Sequence, residues 1–336
     1  VGKKFKVFGF KEYQLSQKLK DKINHLKSSK PTNIEVNNFN TEITTLIISQ
    51  IKNILKKYKL DKSDISAIGY AGITLDHRPD LKKSLYLGDP KMFASILSIP
   101  IISDFRQTDI DAGGQGAPLT GLFHKYLNTV MKKSLIYLNL GGFANVSIPD
   151  KSKLMSYDTG PANYLIDAWC REKFDIEFDL NGRLASMGEI DSEVLKLMLK
   201  DKYFIKKPPK STGFELFNMS WVKEHLKKTS FSRDINILAT LTYLTVITVS
   251  NDINKYRSKP DSIFFYGGGA FNKLIVQGII DLTKLKKVKS LRYGVNEKNL
   301  EATAFAWLAS MRINRIKFPK SEITGANKSY YLGNIY

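Results

Sequence analysis

Apolar positions along this chain keep two rhythms. Short apolar or alternating runs of strand length occur at FKVFGF (residues 5–10), ISAIGYAGITL (65–75), IPIISDF (99–105), SLIYLNL (134–140) and SIFFY (262–266). Between them the spacing turns helical. Leu15, Leu19 and Ile23 share one face, and a longer helix runs through TEITTLIISQIKNILKKYKL (41–60), with Thr41 in the N-cap position. Ala162, Leu165, Ile166, Trp169 and Cys170 fall on another helical face, and LEATAFAWLASMRI (300–313) forms a late amphipathic helix. Strands alternating with helices predict an α/β fold. The pattern restarts near residue 131, and a chain of 336 residues suits two domains. The end, TGANKSYYLGNIY (324–336), reads as a loop and a short final strand.

Two strands run into glycines. LNLGGFAN (138–145) places Gly141 and Gly142 ahead of Asn145, and FYGGGAFN (265–272) places Gly267, Gly268 and Gly269 ahead of Asn272. Glycine has no Cβ, so its backbone N–H can approach an anion closely. A strand that ends in glycines and opens into a helix adds the positive end of a helix dipole. Neither stretch is a Walker A loop or a GxGxxG fingerprint. Each alone reads more readily as a tight turn; the two together point to phosphate or nucleoside binding.

In SYDTGPANYLIDAW (156–169), Pro161 suits the first helical position, which puts Asp158 just ahead of a helix N-terminus. The dipole there favours the anion. Asp158 is then either a capping carboxylate or a base aimed at something bound at that end. An aspartic protease needs two Asp-Thr/Ser-Gly loops sharing a proton, and this chain has one. DFRQTDIDAGGQGAPL (104–119) is dense in Asp, Arg and Gly, and Arg106 can fork onto a carboxylate or phosphate, so a binding loop is expected rather than a linker. KPPKSTGFELFN (207–218) joins Pro-Pro to Lys210-Ser211-Thr212-Gly213; it reads as a substrate or phosphate clamp, or as a surface loop entering a helix at Trp221. Glu301 opens the last helix, either as a cap or as a site residue. The histidines lack metal-ligand spacing, so no zinc site is expected and no residue is singled out as a metal ligand.

The net charge of +20 raises the question of nucleic acid. The lysines are scattered, with short clusters such as Lys284–Lys289, and no helix-turn-helix, zinc-finger or RNP signature is present. A general attraction for anionic ligands is the better reading. Cys170 is the only cysteine, which excludes a disulfide framework and favours a cytoplasmic address. No apolar run reaches the roughly 18 residues of a membrane span, and the opening VGKKFKVFGFKEYQL has no signal-peptide core.

Taken in order, GYAGITLDHRP, LGDP, DFRQTDIDAGGQGAPL, LNLGGFANVS, DTGPANYLIDAW, NGRLASMGEID, PPKSTGFELFN, YGGGAFN, EATAFAWLA and TGANKSYYLGNIY resemble the anhydro-N-acetylmuramic acid kinase family from about residue 60 to 336. AGGQGAPL and PPKSTG are the most specific of these. The resemblance implies a two-domain sugar kinase/Hsp70/actin-like fold, ribonuclease H-like in each half, with an interdomain cleft that closes on its ligands. Domain I would comprise residues 1–131 and 313–336, and domain II residues 132–312. The implied reaction uses ATP, Mg²⁺ and water on an anhydro amino sugar from cell-wall turnover. In it, Asp158 would activate the water, and Thr74, Arg106 and Glu301 would surround the sugar. Gly141, Gly142 and Asn145 would form one phosphate element, and Gly267, Gly268, Gly269 and Asn272 the adenosine element. A homodimer is left open.

Two departures bear on these roles. The family's opening Ser-Gly-Thr-Ser-x-Asp-Gly-type phosphate loop has no counterpart, and the chain starts around the strand that follows it. Where the family has Ser-His-Gly-Gln-Thr, this chain has Tyr70-Ala71-Gly72-Ile73-Thr74, so only the Gly and Thr persist. The alternative implied by these losses is a relative that binds nucleotide or amino sugar without turnover.

Overall fold

A computed structural model describes residues 5–28, 32–78, 81–150, 153–230, 232–258, 260–321 and 323–336. The chain divides into two compact units, Val1–Phe123 with Glu301–Tyr336, and His124–Leu300. The limits expected from the sequence, near 131 and 312, lie toward the far ends of the two helices in which this division falls.

The first described residues, FKVFGF, have no regular structure; at their end the Tyr58 hydroxyl accepts from Phe10 N–H at 3.0 Å and donates to Phe10 C=O at 3.1 Å, so that backbone pairs with a side chain and not with a strand. α1 (Gln17–Ser28) follows, then α2 (Asn33–Tyr58). α2 begins well before Thr41. Its N-cap is Thr32, whose hydroxyl accepts from Glu35 N–H while the Glu35 carboxylate accepts from Thr32 N–H at 2.8 Å. This is a reciprocal capping box, and Thr41 inside the helix instead donates its hydroxyl to Asn37 C=O. Ile23 of α1 and Phe39 and Ile43 of α2 bury against Leu75 and Leu87.

Those leucines belong to a hairpin of β2 (Ile73–Arg78) and β3 (Lys83–Leu87), which comes after the short β1 (Ile68–Gly69). Then come α3 (Pro90–Leu97), β4 (Ile101–Ser103), α4 (Phe105–Asp111) and α5 (Thr120–Met131). Asp104, at the end of β4, turns the chain in the left-handed region at φ 58°.

In the second unit β5 (Ile136–Leu140), β6 (Phe143–Asp150) and β7 (Lys153–Pro161) form an antiparallel meander. A long helical stretch follows, with α6 (Asn163–Phe174), α7 (Ser192–Met198), α8 (Lys202–Ile205), α9 (Met219–Leu226) and α10 (Asp234–Tyr256). β8 (Ser262–Tyr266) then returns parallel to β5, and after α11 (Lys273–Thr283) β9 (Lys286–Lys287) lies parallel to β8. The sheet order β7-β6-β5-β8-β9 is third, second, first, fourth, fifth, with the second strand reversed. That is the ribonuclease H-like arrangement expected from the resemblance. One sheet face, including Leu138, Val146, Tyr157 and Phe265, buries against Ile166 and Trp169 of α6, Leu241 and Leu244 of α10 and Ile275 and Ile279 of α11. Cys170 is fully buried in that core.

α12 (Leu300–Ile313) leads back into the first unit, where β10 (Asn334–Ile335) closes the β1-β4-β10 sheet antiparallel to β4. Among the described residues no helix is long and apolar enough to cross a membrane.

Candidate active site

Asp158 is a strand residue. β7 continues to Pro161, and α6 starts only at Asn163 with Ala162 as its N-cap, so Asp158 caps no helix and Pro161 is not the first helical residue. Pairing with β6, Asn145 opposite Asp158, decides this; the local sequence cannot show a partner strand.

Strand pairing also sets the carboxylate's surroundings. Asn145 Nδ2 donates to Asp158 Oδ1 at 2.9 Å, and Thr212 N–H donates to Oδ2 at 3.1 Å. The backbone is held as well: Asp158 N–H donates to Lys210 C=O at 3.1 Å, and the Tyr203 hydroxyl donates to Asp158 C=O at 2.6 Å. Burial, then the charges of Asp158, Asp252 and Glu215, push the Tyr203 hydroxyl far above its ordinary range, so it stays a donor. Two N–H donors on a carboxylate favour its charged form. Asn145 Oδ1 and Thr212 Oγ1 are buried beside it with no hydrogen-bond partner among the described residues. Buried polar atoms normally have partners; these two, with the carboxylate, present oxygens suited to a water or a hard cation.

The glycine turns differ from expectation in one respect. Gly141-Gly142 opens into strand β6, not into a helix. Its carbonyls accept from the start of α6: Gly141 C=O from Asn163 N–H at 3.1 Å, and Gly142 C=O from Ala162 and Tyr164 N–H at 2.9 and 3.0 Å. After β8, Gly267 to Gly269 do lead into a helix, and Asn272 caps α11 by accepting from Leu274 and Ile275 N–H. The glycines also separate by cause. A Cβ at Gly267 would lie 2.4 Å from Asn139 Oδ1, with φ at +82°, and one at Gly269 would lie 2.8 Å from Asn163 Oδ1. Protein packing demands glycine at both. At Gly141, Gly142 and Gly268 the nearest atoms would be 3.6, 3.4 and 3.7 Å away. Among the described residues a Cβ at these three would meet only ordinary van der Waals contacts, so packing does not demand glycine there; its use suits the close approach of a phosphate-bearing ligand.

In the first unit, Arg106 of α4 donates through Nη1 to Gly116 C=O at 2.8 Å. The AGGQG loop is pinned rather than slack. Buried Asp109 accepts from Gly116 N–H and the Thr324 hydroxyl, both at 2.7 Å, and from the Tyr330 hydroxyl. Burial pushes the Asp109 carboxyl up, and these donors and Arg106 pull it back. His77 of β2 lies 3.3 Å from Ser84 Oγ and bonds the Gln115 backbone; burial, then the Arg106 charge, lower its pKa. Glu301, at the start of α12, reaches solvent. Protein crowding still raises its carboxyl, and the Arg106 charge opposes the rise. Thr74 is half-buried opposite Tyr86, beside a bulge in β2. Tyr70 turns inward: its hydroxyl donates to Leu87 C=O at 2.6 Å and its ring packs edge-on against Phe93. Pro79 of the HRP stretch lies outside the described residues.

The chain matches the profile of the anhydro-N-acetylmuramic acid kinases over residues 3–336. It belongs to that family. Proteins of the same name are 36% identical to it in Pseudomonas syringae pv. syringae, over 87% of this chain and 80% of that one. The Sulfurovum relative is 36% identical over 97% of this chain and 90% of its own. Among solved structures, the activator of the 2-hydroxyisocaproyl-CoA dehydratase from Clostridium difficile, with bound ADPNP, superposes on 79% of this chain and 81% of its own at a TM-score of 0.43 and 12% identity.

Within this kinase-family chain, the structure brings Asp158, Asn145 and Thr212 together, and separately Arg106 and Glu301. Sequence reasoning missed several neighbours. Asn163 donates to Leu140 C=O at 3.0 Å and packs on Gly269, so it ties one glycine turn to the other. Its signal was its place immediately after Pro161-Ala162 in a quoted motif. Lys210, in the segment read either as a substrate or phosphate clamp or as a surface loop, is buried in an ion pair with Asp252. Asp252 gave no local signal, since it stands near the C-terminal end of α10 among Asn251 and Asn254 and reads as an exposed polar position.

Proposed function

We propose that this chain uses ATP and water to open 1,6-anhydro-N-acetylmuramic acid and phosphorylate O6, giving N-acetylmuramic acid 6-phosphate in cell-wall recycling. Family membership supports the reaction class. The observation that carries the residue assignment is the Asp158 carboxylate, gripped by two N–H donors with two unpartnered buried oxygens beside it. Asp158 takes a proton from water as the water oxygen bonds to the anomeric carbon. The C1–O6 bond breaks, and O6 takes the γ-phosphoryl group as ADP leaves. Positioning and electrostatics supply most of the acceleration in such transfers.

ATP suits the glycine turns at Gly141, Gly142 and Gly268. The net charge of +20 favours anionic ligands in general. Asn145 Oδ1, Thr212 Oγ1 and the Asp158 carboxylate are oxygen donors of the kind Mg²⁺ accepts, directly or through water. When bound, Mg²⁺ neutralises charge on the phosphates. Arg106 and Glu301 are assigned to the sugar, Arg106 as a fork for its carboxylate, with Thr74 nearby in sequence to the His77 strand position.

A second reading is favoured by Ala71 and Ile73, which lack the side chains usual in the family: the chain binds amino sugar or nucleotide without turnover. One experiment separates the two. The protein is incubated with Mg-ATP and the anhydro sugar in ¹⁸O-water. The kinase reading expects the 6-phosphate with ¹⁸O on the anomeric hydroxyl and none in the phosphate. Ligand binding by calorimetry without product would establish the second reading instead.

A further inference from the structure

We propose that the buried Lys210–Asp252 ion pair is a positioning device for Asp158. The inference rests on Asp158 being the base. β7 is an edge strand, and the PPKSTG segment runs along its free edge, where Lys210 C=O accepts from Asp158 N–H. The Lys210 side chain turns inward. Its Nζ lies 3.0 Å from Asp252 Oδ2 of α10, with side-chain exposures of 2% and 9%, a close ion pair whose angles do not make a hydrogen bond, and 5.0 and 5.7 Å from the ring centroids of Tyr203 and Tyr157.

Burying such a pair costs several kcal/mol of desolvation per ion, and an apolar pair of similar volume is often as stable or more so. Adhesion alone does not call for it. What the pair supplies is a defined distance between the loop and α10. Two residues beyond Lys210, Thr212 delivers its N–H to Asp158 Oδ2 at 3.1 Å. If Lys210 slides along the edge, that donor leaves the carboxylate. Tyr203 completes the lock by holding Asp158 C=O at 2.6 Å. The charged and titratable groups facing this corner are Tyr157 from β7, Tyr203 from α8, Lys210 and Glu215 from the loop, and Asp252, Lys255 and Tyr256 from α10. A cavity of about 190 Å³ borders Asp252 on the side lined by Thr159, Phe204 and Thr248.

The test uses the full chain carrying Lys210→Met. We expect kcat to fall by about tenfold or more while KM for ATP stays within about twofold. The Thr212 amide, assigned in ¹⁵N NMR, should exchange with solvent about tenfold faster or more, because its hydrogen bond to Asp158 Oδ2 is the contact the pair holds in place. A lowered Tm with unchanged kcat per folded molecule and an unchanged Thr212 amide would overturn the proposal. If Lys210→Met does not fold, the double variant Lys210→Met/Asp252→Leu removes the unpaired charge and is read in the same way; wild-type kcat and Thr212 exchange in it would also refute the inference. The amide readout is independent of turnover, so an inactive wild type sinks the kinase reading, whereas an unchanged Thr212 amide sinks this one.

Discussion

Replacing Asp158 by Asn keeps the side chain's shape and removes its charge. The carboxylate accepts from Asn145 Nδ2 at 2.9 Å and from Thr212 N–H at 3.1 Å. An amide offers one oxygen, so one donor would face an NH₂ group. Asn145 can relieve this by rotating its own amide, since its Oδ1 has no partner among the described residues. Both hydrogen bonds then survive and lose only their charge assistance. Bonds to charged groups contribute about 1.5–3 kcal/mol against about 1 kcal/mol for neutral ones. Part of that is returned because no charge is buried, so the expected cost in stability is about 1–2 kcal/mol. Removing a general base costs about 10²- to 10⁴-fold in rate, equivalent to roughly 3–5 kcal/mol of barrier. The catalytic loss therefore exceeds the structural one. The assay is ADP release with the anhydro sugar at 25 °C, on protein shown by circular dichroism to be folded. A kcat within about tenfold of wild type, with the protein folded, would remove Asp158 from the base role.

Gly268→Ala should leave stability within about 1 kcal/mol while weakening ATP binding about tenfold or more, because its Cβ has room in the chain but obstructs the ligand's close approach. Gly267→Ala should instead destabilise by about 2 kcal/mol or more in urea, since its φ of +82° and the Asn139 contact at 2.4 Å both oppose a side chain. Arg106→Lys keeps the charge but loses the fork, so KM for the sugar should rise about tenfold with KM for ATP unchanged. Burial first, with Asp179 and Glu177 nearby and Arg171 opposing, pushes Asp167 up to about 7 from 3.8. The unfolded chain thus releases that proton first: this group's contribution is full below about pH 4, declines as pH rises toward 7 and stays low above it. Asp167→Asn should therefore stabilise the protein by roughly 2–4 kcal/mol at pH 8 and change little at pH 4. Equal urea midpoints for the two proteins at pH 8 would contradict the shift.

Much of the chemistry was legible along the chain, and its errors have two origins. Thr32-Asn-Ile-Glu35 carries the capping-box spacing, so the true start of α2 was readable and the more apolar stretch from Thr41 obscured it. FKVFGF has a strand's composition, but a strand also needs an unpaired edge to join, and Tyr58 had taken the Phe10 backbone. DTGPANYLIDAW has Pro where a helix begins, yet β6 lies alongside and keeps the chain extended to Pro161. In the last two cases a non-local partner outweighed the local preference, whereas the start of α2 was a local signal passed over for a more apolar one.

By itself the sequence determined the family, the α/β class and the glycine turns that follow two strands, and it singled out Asp158 and Arg106 as the side chains to which the chemistry is assigned in the proposed function. These are properties of residue type and spacing, which covalent order carries. Tertiary structure alone decided that Asp158 stands on a strand edge under two N–H donors, that packing demands glycine at Gly267 and Gly269 but not at Gly141, Gly142 and Gly268, and that Lys210 pairs with Asp252. The reason is distance along the chain. Thr212 and Asp252 reach Asp158 and Lys210 only after α6 to α10 have packed against the sheet, and no local pattern records where that packing brings a backbone amide or a buried charge.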